Sequence, residues 1–122
     1  MISGEDIEAF KSMSYPEPYT PVTYSQWVEG KIVTEGQTRL IENTLGLVGE
    51  AGEVAEKIKK LLRDDTRFTG DDIIKELGDV VFYATALSNY FKSDLQGILD
   101  KNIEKLDSRE LRGVIKGSGD NR

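Results

Sequence analysis

The sequence of 122 residues predicts an all-α fold, an antiparallel helical bundle of about four main helices. Three observations lead to this prediction. Apolar residues recur at helical spacing over most of the chain, hydroxyl residues stand where helices should begin, and strand patterns are nearly absent. A chain of this length can form one domain with its own core, although self-association would add to its stability.

The starts of three of the four main helices are predicted from capping boxes, in which a hydroxyl side chain and a polar side chain three residues later bind free backbone amides. The three predicted capping boxes are Thr23 to Gln26, Thr69 to Asp72 and Ser93 to Gln96.

Proline and glycine mark the segments between the helices. All three prolines lie near the amino terminus, and the last residues are rich in glycine and charge. The predicted segments of this single domain, 1–122, are an irregular lead-in at 1–22 with a short helix over 5–13, helices at about 24–33, 38–63, 70–91 and 94–109, a polar loop at 64–70, and a flexible tail at 110–122. The first of these helices should end near Gly36.

Composition limits the chemistry that the chain can perform. It contains no cysteine and no histidine, which excludes disulfides, thiolate zinc sites and histidine-dependent catalysis. Acid–base work must therefore fall to carboxylates, lysine, tyrosine or metal-bound water. The net charge of −6 argues against duplex nucleic acid as a partner. We expect a cytoplasmic protein with no membrane partner, because the amino terminus is too acidic for a signal peptide and no apolar run could span a bilayer.

Two acidic pairs share the same spacing, Glu50-x-x-Glu53 in the second predicted helix and Glu76-x-x-Asp79 in the third. Residues three apart lie on one side of a helix, so each pair directs two carboxylates the same way. Four converging carboxylates repel one another unless a cation joins them. The pairs therefore suggest a site for a hard metal ion, and with it phosphate chemistry. The alternative is that each pair belongs to an ordinary solvated face.

A helical wheel places both acidic pairs beside an apolar stripe, with Glu56 on the solvent side. If the stripes pack together, the acids should meet at the edge of the core. Glycines near the acids suggest close helix approach or clearance for a ligand. The stripe of the second helix is predicted as Leu47, Ala51, Val54, Ile58 and Leu61, and the nearby glycines are Gly46, Gly49, Gly52 and Gly78.

The fourth helix adds polar groups to this picture. Asn102 falls within its apolar stripe, so its amide should be buried and needs partners, either as a structural link or as a ligand to phosphate or metal-bound water. Lys101, Lys105 and Arg109 lie nearby and could meet phosphate oxygens. The alternative is that these three are ordinary surface charges.

The segments LGLVGEAGEVAEKIKKLLRD, DDIIKELGDVVFYATALS and KNIEKLDSR together resemble the MazG-like all-α nucleoside triphosphate pyrophosphohydrolases, over about residues 24–109. The resemblance implies cleavage of an NTP or dNTP between the α and β phosphates, with Mg²⁺ as cofactor and Mn²⁺ as a possible substitute. The family's acidic metal ligands fall on Glu50, Glu53, Glu76 and Asp79. Many members carry a further acid where this chain has Gly49, which could change the number of ions held.

The resemblance places the family's K-N-x-x-K motif on Lys101, Asn102 and Lys105, and the expected reaction suggests roles for the other candidates. Glu50 or Glu53 would act as general base. Tyr24 and Trp27 could stack on the nucleobase, although plain core packing is an equal alternative for Trp27. The residues expected to contact phosphate are Lys57, Lys60, Lys101, Asn102, Lys105 and Arg109.

Other readings remain open from the sequence. The chain could be a same-fold enzyme with another substrate, such as dUTP, dCTP or phosphoribosyl-ATP. It could also be a helical regulatory module that binds a nucleotide without cleaving it. The apolar faces suggest a homodimer or homotetramer, and nucleotide-pool housekeeping is the expected role.

Overall fold

The computed structural model describes residues 18–63 and 69–113, which form four α-helices and no strand. The predicted all-α fold is confirmed. The lead-in up to residue 17, with its expected short helix, the loop at 64–68 and the tail beyond residue 113 lie outside the described residues. The helices are α1 (Pro21–Lys31), α2 (Gly36–Leu62), α3 (Gly70–Tyr90) and α4 (Leu95–Leu111).

Helix α1 begins three residues earlier than predicted. Thr20, not Thr23, is the N-cap, and the two threonines cap each other's backbone amides. Pro21 follows as the first helical residue, where its fixed φ suits a helix and its missing N–H costs nothing. Pro21 and Val22 are therefore helical, and the predicted lead-in to residue 22 was two residues too long.

Two other boundaries differ from the prediction. Gly36 opens α2 with φ +60° and does not close α1; a left-handed φ is one that glycine adopts without strain. The cap of α4 is Asp94, whose carboxylate accepts from the Gly97 amide at 2.8 Å, so the predicted Ser93 cap was wrong by one residue. Thr69 caps α3 with Asp72 as predicted. Because α4 continues to Leu111, the first two residues of the predicted tail are helical.

Helices α2 and α3 pack as an antiparallel pair. Gly46 lies against the ring of Tyr83, and Lys57 lies beside Glu76, so residue numbers rise along α2 as they fall along α3. A side chain at position 46 would collide with the Tyr83 ring. Gly46 thus permits the close approach that was predicted from the glycines, whereas Gly49, Gly52 and Gly78 face open space.

A buried polar network joins α1 to the other helices. The Arg39 guanidinium donates two hydrogen bonds of 2.7 Å to the carboxylate of Glu29, and the two side chains are only 13% and 9% exposed. Asn89 donates to the same carboxylate at 3.1 Å and to the Ser25 carbonyl at 3.0 Å. The Ser25 hydroxyl accepts from the Leu95 amide at 2.9 Å, which brings in α4. One network therefore fixes all four helices.

Apolar burial within one chain is small. Among the described residues, only Val28 and Ala86 are fully buried apolar side chains. Helix α2 carries a second apolar stripe that points away from α3, and Leu45 and Val48 on it are 65% and 66% exposed. The larger exposed apolar side chains on α2, α3 and α4 are Ile41, Leu45, Val48, Ile58, Leu62, Ile74, Leu77, Val81, Leu99, Ile103 and Leu111.

Arg39→Met should destabilise the fold by about 3–5 kcal/mol, because it leaves the Glu29 carboxylate buried without its cation. Urea unfolding followed by circular dichroism measures this loss. Adding Glu29→Leu should recover part of it, since no charge is then left unpaired. Lys75→Met breaks an exposed ion pair with Asp71 and should change stability little. Equal losses for Arg39→Met and Lys75→Met would contradict the role given to the network.

Candidate metal centre

Three carboxylates meet where α2 packs on α3. Glu50 from α2 and Glu76 and Asp79 from α3 each place one oxygen so that the three oxygens lie within 4.8 Å of one another. Glu50 and Glu76 are half-buried and Asp79 is exposed. The acids therefore lie within the helix interface and open to solvent on one side.

The interface is rotated from the predicted one. Gly46, Glu50 and Lys57 face α3. Ala51, by contrast, is exposed and Ile58 is 41% exposed. The wheel placed the acids at the edge of the stripe; the structure places Glu50 and Lys57 nearer its centre. Lys57 can occupy this position because it pairs with Glu76 on α3, whereas Glu50 faces the two acids of α3.

Glu76 has one engaged oxygen and one without a partner. Its Oε1 accepts from the Lys57 ammonium at 2.6 Å. Its Oε2 is buried and accepts no hydrogen bond from the protein. Burying a carboxylate oxygen without a hydrogen-bond donor destabilises the fold. A cation bound to that oxygen would remove this cost.

The acids perturb one another's pKa. Burial, the hydrogen bond that a protonated Glu50 donates to Glu76, and the charges of Asp79, Glu76 and Glu53 raise the pKa of Glu50. The hydrogen bond from Lys57 lowers the pKa of Glu76, so that this carboxylate stays ionised. A proton or a cation placed between Glu50 and Glu76 relieves the same repulsion.

The donor set fits a hard divalent ion. It offers carboxylate oxygens alone, which Mg²⁺ and Mn²⁺ prefer, and the partnerless Oε2 of Glu76 suits a ligand atom. Three of the four predicted ligands are brought together. Glu53, the fourth, is exposed and lies outside this group, although its charge contributes to the raised pKa of Glu50.

The predicted phosphate contacts fall in different places. Lys101, Asn102 and Lys105 line an open pocket of about 520 Å³ along α4. The prediction that Asn102 is buried was wrong: it is exposed, because no other described element covers the middle of that face of α4. Arg109 is buried, only 4% exposed. Lys57 is paired with Glu76, and Lys60 is half-buried on α2.

The two aromatic candidates belong to a ring cluster between α1 and α3. Trp27 lies 5.7 Å from the Tyr24 ring and 6.1 Å, edge-on, from that of Phe82, and Lys31 covers it at 5.6 Å. Burial and the negative charge of Asp79 raise the pKa of Tyr24. Tyr24 therefore lies within range of the charge of Asp79. Trp27 packs against the rings of Tyr24 and Phe82.

The residues of the polar network that joins the four helices were not predicted from the sequence. On a helical wheel Asn89 lies opposite the predicted apolar stripe of α3, and that side of α3 is covered by α1. The predicted stripe of α3 is Ile73, Leu77, Val80, Ala84 and Leu87. Glu29 and Arg39 are ten residues apart in two different helices, so no local spacing links them. Lys57, on the same helix face as Glu50, was predicted as a phosphate contact, and its pairing with Glu76 on α3 was not predicted.

Comparison with known proteins gives a specific result. The family model of the MazG nucleotide pyrophosphohydrolase domain matches residues 39–113. The Gene 37 protein of Mycobacterium phage L5 is 52% identical over 83 residues, which cover 65% of this chain and 73% of the phage protein. No solved structure is a significant match. None of the helices in the described ranges is long and apolar enough to cross a membrane.

Glu50→Gln should raise the melting temperature by a few degrees at neutral pH in EDTA, because it removes one of several repelling charges. Because the pKa of Glu50 is raised in the folded protein, the free energy of unfolding falls as the pH rises past this pKa and Glu50 ionises. The gain should therefore shrink as the pH falls towards 4.5, the ordinary value, where wild-type Glu50 becomes protonated. Thermal melts over a pH series measure this, with Glu56→Gln as control. A loss of stability in Glu50→Gln at every pH would contradict it.

Proposed function

The chain belongs to the MazG nucleotide pyrophosphohydrolase family, and from that premise we propose that it hydrolyses an NTP or dNTP between the α and β phosphates. The products are a nucleoside monophosphate and pyrophosphate. The observation that carries the proposal is the convergence of Glu50, Glu76 and Asp79 on one point, with a buried Glu76 oxygen that lacks a protein donor.

Glu50, Glu76 and Asp79 would hold the magnesium ion, with Glu53 beside them at the exposed side. When bound, Mg²⁺ neutralises phosphate charge and acidifies a coordinated water. Mn²⁺ fits the same oxygen ligands. The carboxylates that would hold the ion come from α2 and α3. The contact between Gly46 and Tyr83 sets the register of these two helices.

Glu50 is one candidate for the general base, through a carboxylate oxygen that the ion does not engage. It is half-buried beside the other two acids of the group. Glu53 remains the alternative base, one turn along α2. Either residue would take the proton of the attacking water while its neighbours stay ionised.

Phosphate oxygens would be bound by cationic and amide groups. Lys101, Asn102 and Lys105 share one pocket on α4, where they offer two ammonium groups and an amide. Lys57, Lys60 and Arg109 are the further candidates for the outgoing pyrophosphate. We propose that the nucleobase binds at the side of α1 that carries Tyr24 and Trp27, because the charge of Asp79 acts on Tyr24 there.

The decisive experiment is incubation with each common NTP and dNTP, with dUTP, and with phosphoribosyl-ATP, in Mg²⁺ or Mn²⁺. Pyrophosphate as the first product supports the proposal, and the preferred substrate defines its role in the nucleotide pool. Orthophosphate as the first product would contradict α–β cleavage. Binding of a nucleotide without any turnover would favour the regulatory module.

Asp79→Asn should abolish most Mg²⁺-dependent pyrophosphate release, by about 100-fold or more, while the far-UV circular dichroism stays unchanged. The physical reason is the loss of one charged ligand oxygen from the group of three. Glu56→Gln, the matched control on the outer side of α2, should retain the wild-type rate. If Asp79→Asn turns over like the wild type, the assignment of the site is wrong.

We also propose that the protein self-associates as a homodimer or homotetramer through the second apolar stripe of α2. This stripe is defined by Ile41, Leu45 and Val48. Gly52 follows on the same face and faces open space, so no side chain there would keep a second helix at a distance. An exposed apolar face of this length is unusual for a monomer. A second copy offers the same face, as a two-fold interface requires.

Leu45→Glu should convert the oligomer to a monomer, because it places a charge in the middle of the apolar stripe. Size-exclusion chromatography with light scattering measures the mass. Val33→Glu, a change at an exposed apolar residue between α1 and α2, should leave the mass unchanged. A monomeric wild-type protein would refute this part of the proposal.

A further inference from the structure

We propose that Lys57 is a positioning residue of the metal centre: its ammonium holds Glu76 by Oε1 and leaves Oε2 for the ion. This assigns to Lys57 a task other than phosphate binding. It rests on the proposed function in one respect, that an ion binds at the carboxylates.

The first support is the geometry of the ion pair. Lys57 Nζ lies 2.6 Å from Glu76 Oε1, and the two side chains are 22% and 16% exposed. The pair Lys59–Glu56 on the outer side of the same helix is a useful contrast. There the distance is 3.9 Å and the side chains are 56% and 45% exposed, which is typical of a weak surface pair. The Lys57–Glu76 pair is short and sheltered, so it restricts the carboxylate.

The second support is the asymmetry of the Glu76 carboxylate. One oxygen is occupied by Lys57, and the other is buried and accepts nothing from the protein. Glu76 is on α3 and Lys57 on α2, so the ion pair also sets where this carboxylate lies relative to Glu50. Carboxylates that bind metals are commonly held by a hydrogen bond on their second oxygen.

Removal of the Lys57 charge has two opposite effects on cation binding. A nearby positive charge repels the ion, so its loss alone should tighten binding. Loss of the hydrogen bond frees the Glu76 side chain to rotate. Metal binding must then order this side chain, and the lost conformational entropy weakens binding. The sign of the change therefore separates a positioning role from a mere charge effect.

The test is calorimetric titration of full-length protein, free of nucleotide, with Mn²⁺. We expect Lys57→Met to bind Mn²⁺ on the order of 10–100-fold more weakly than the wild type. Lys57→Arg retains a charged donor and should bind within a few-fold of the wild type. Lys59→Met removes the same charge from the outer side of α2 and should bind as tightly as the wild type, or slightly more tightly.

Circular dichroism and a thermal melt establish that each variant is folded, and Lys57→Gln replaces Lys57→Met, with the same expectation, should the latter unfold. If folded Lys57→Met or Lys57→Gln binds Mn²⁺ as tightly as the wild type or more tightly, the positioning role is refuted while the metal centre stands. If the wild type itself binds no Mn²⁺, the metal centre and the proposed function fail together.

Discussion

The bidentate ion pair between Glu29 and Arg39 is the interaction on which the arrangement of the helices depends. The chain has a net charge of −6, and both side chains of the pair are largely shielded from water. Breaking such a pair leaves an unpaired buried charge, which is far more costly than losing a surface contact. Since Asn89 and Ser25 extend the pair to α3 and α4, the four helices are held in a single relative position.

The candidate metal centre depends on this arrangement indirectly. The polar network places α1 over the carboxyl-terminal half of α3, where the rings of Trp27 and Phe82 meet and where Tyr24 comes under the influence of Asp79. The register of α2 against α3 is set separately, by Gly46 under Tyr83 and by Lys57 on Glu76. Repulsion among the acids is tolerated because Lys57 offsets part of it. Few apolar side chains of the described residues are fully buried, which is why a second copy is proposed.

Much of the local structure could be predicted from the sequence. The four helices follow from periodicity, and Thr69 was identified as a cap because both halves of its capping box are polar. The caps of α1 and α4 were missed by three and one residues, since several hydroxyl and acidic residues near each start compete for the role. For the site, three of the four predicted acids are brought together, whereas Asn102 is exposed. Periodicity gives a residue's direction from its own helix, and it does not show whether another element covers it.

The sequence by itself determined the fold class, the family and the spacing that turns each acidic pair to one side of its helix. The fold class and each spacing depend on residues within a few turns of one another, and the family depends on the order of such local motifs, so all three can be read along the chain. The tertiary structure alone decided that Glu29 pairs with Arg39, that Lys57 holds one oxygen of Glu76, and that Glu50 lies within the helix interface and not at its edge. Each of these is a contact between separate helices. Such contacts depend on the rotation and register of whole helices, which no local pattern encodes.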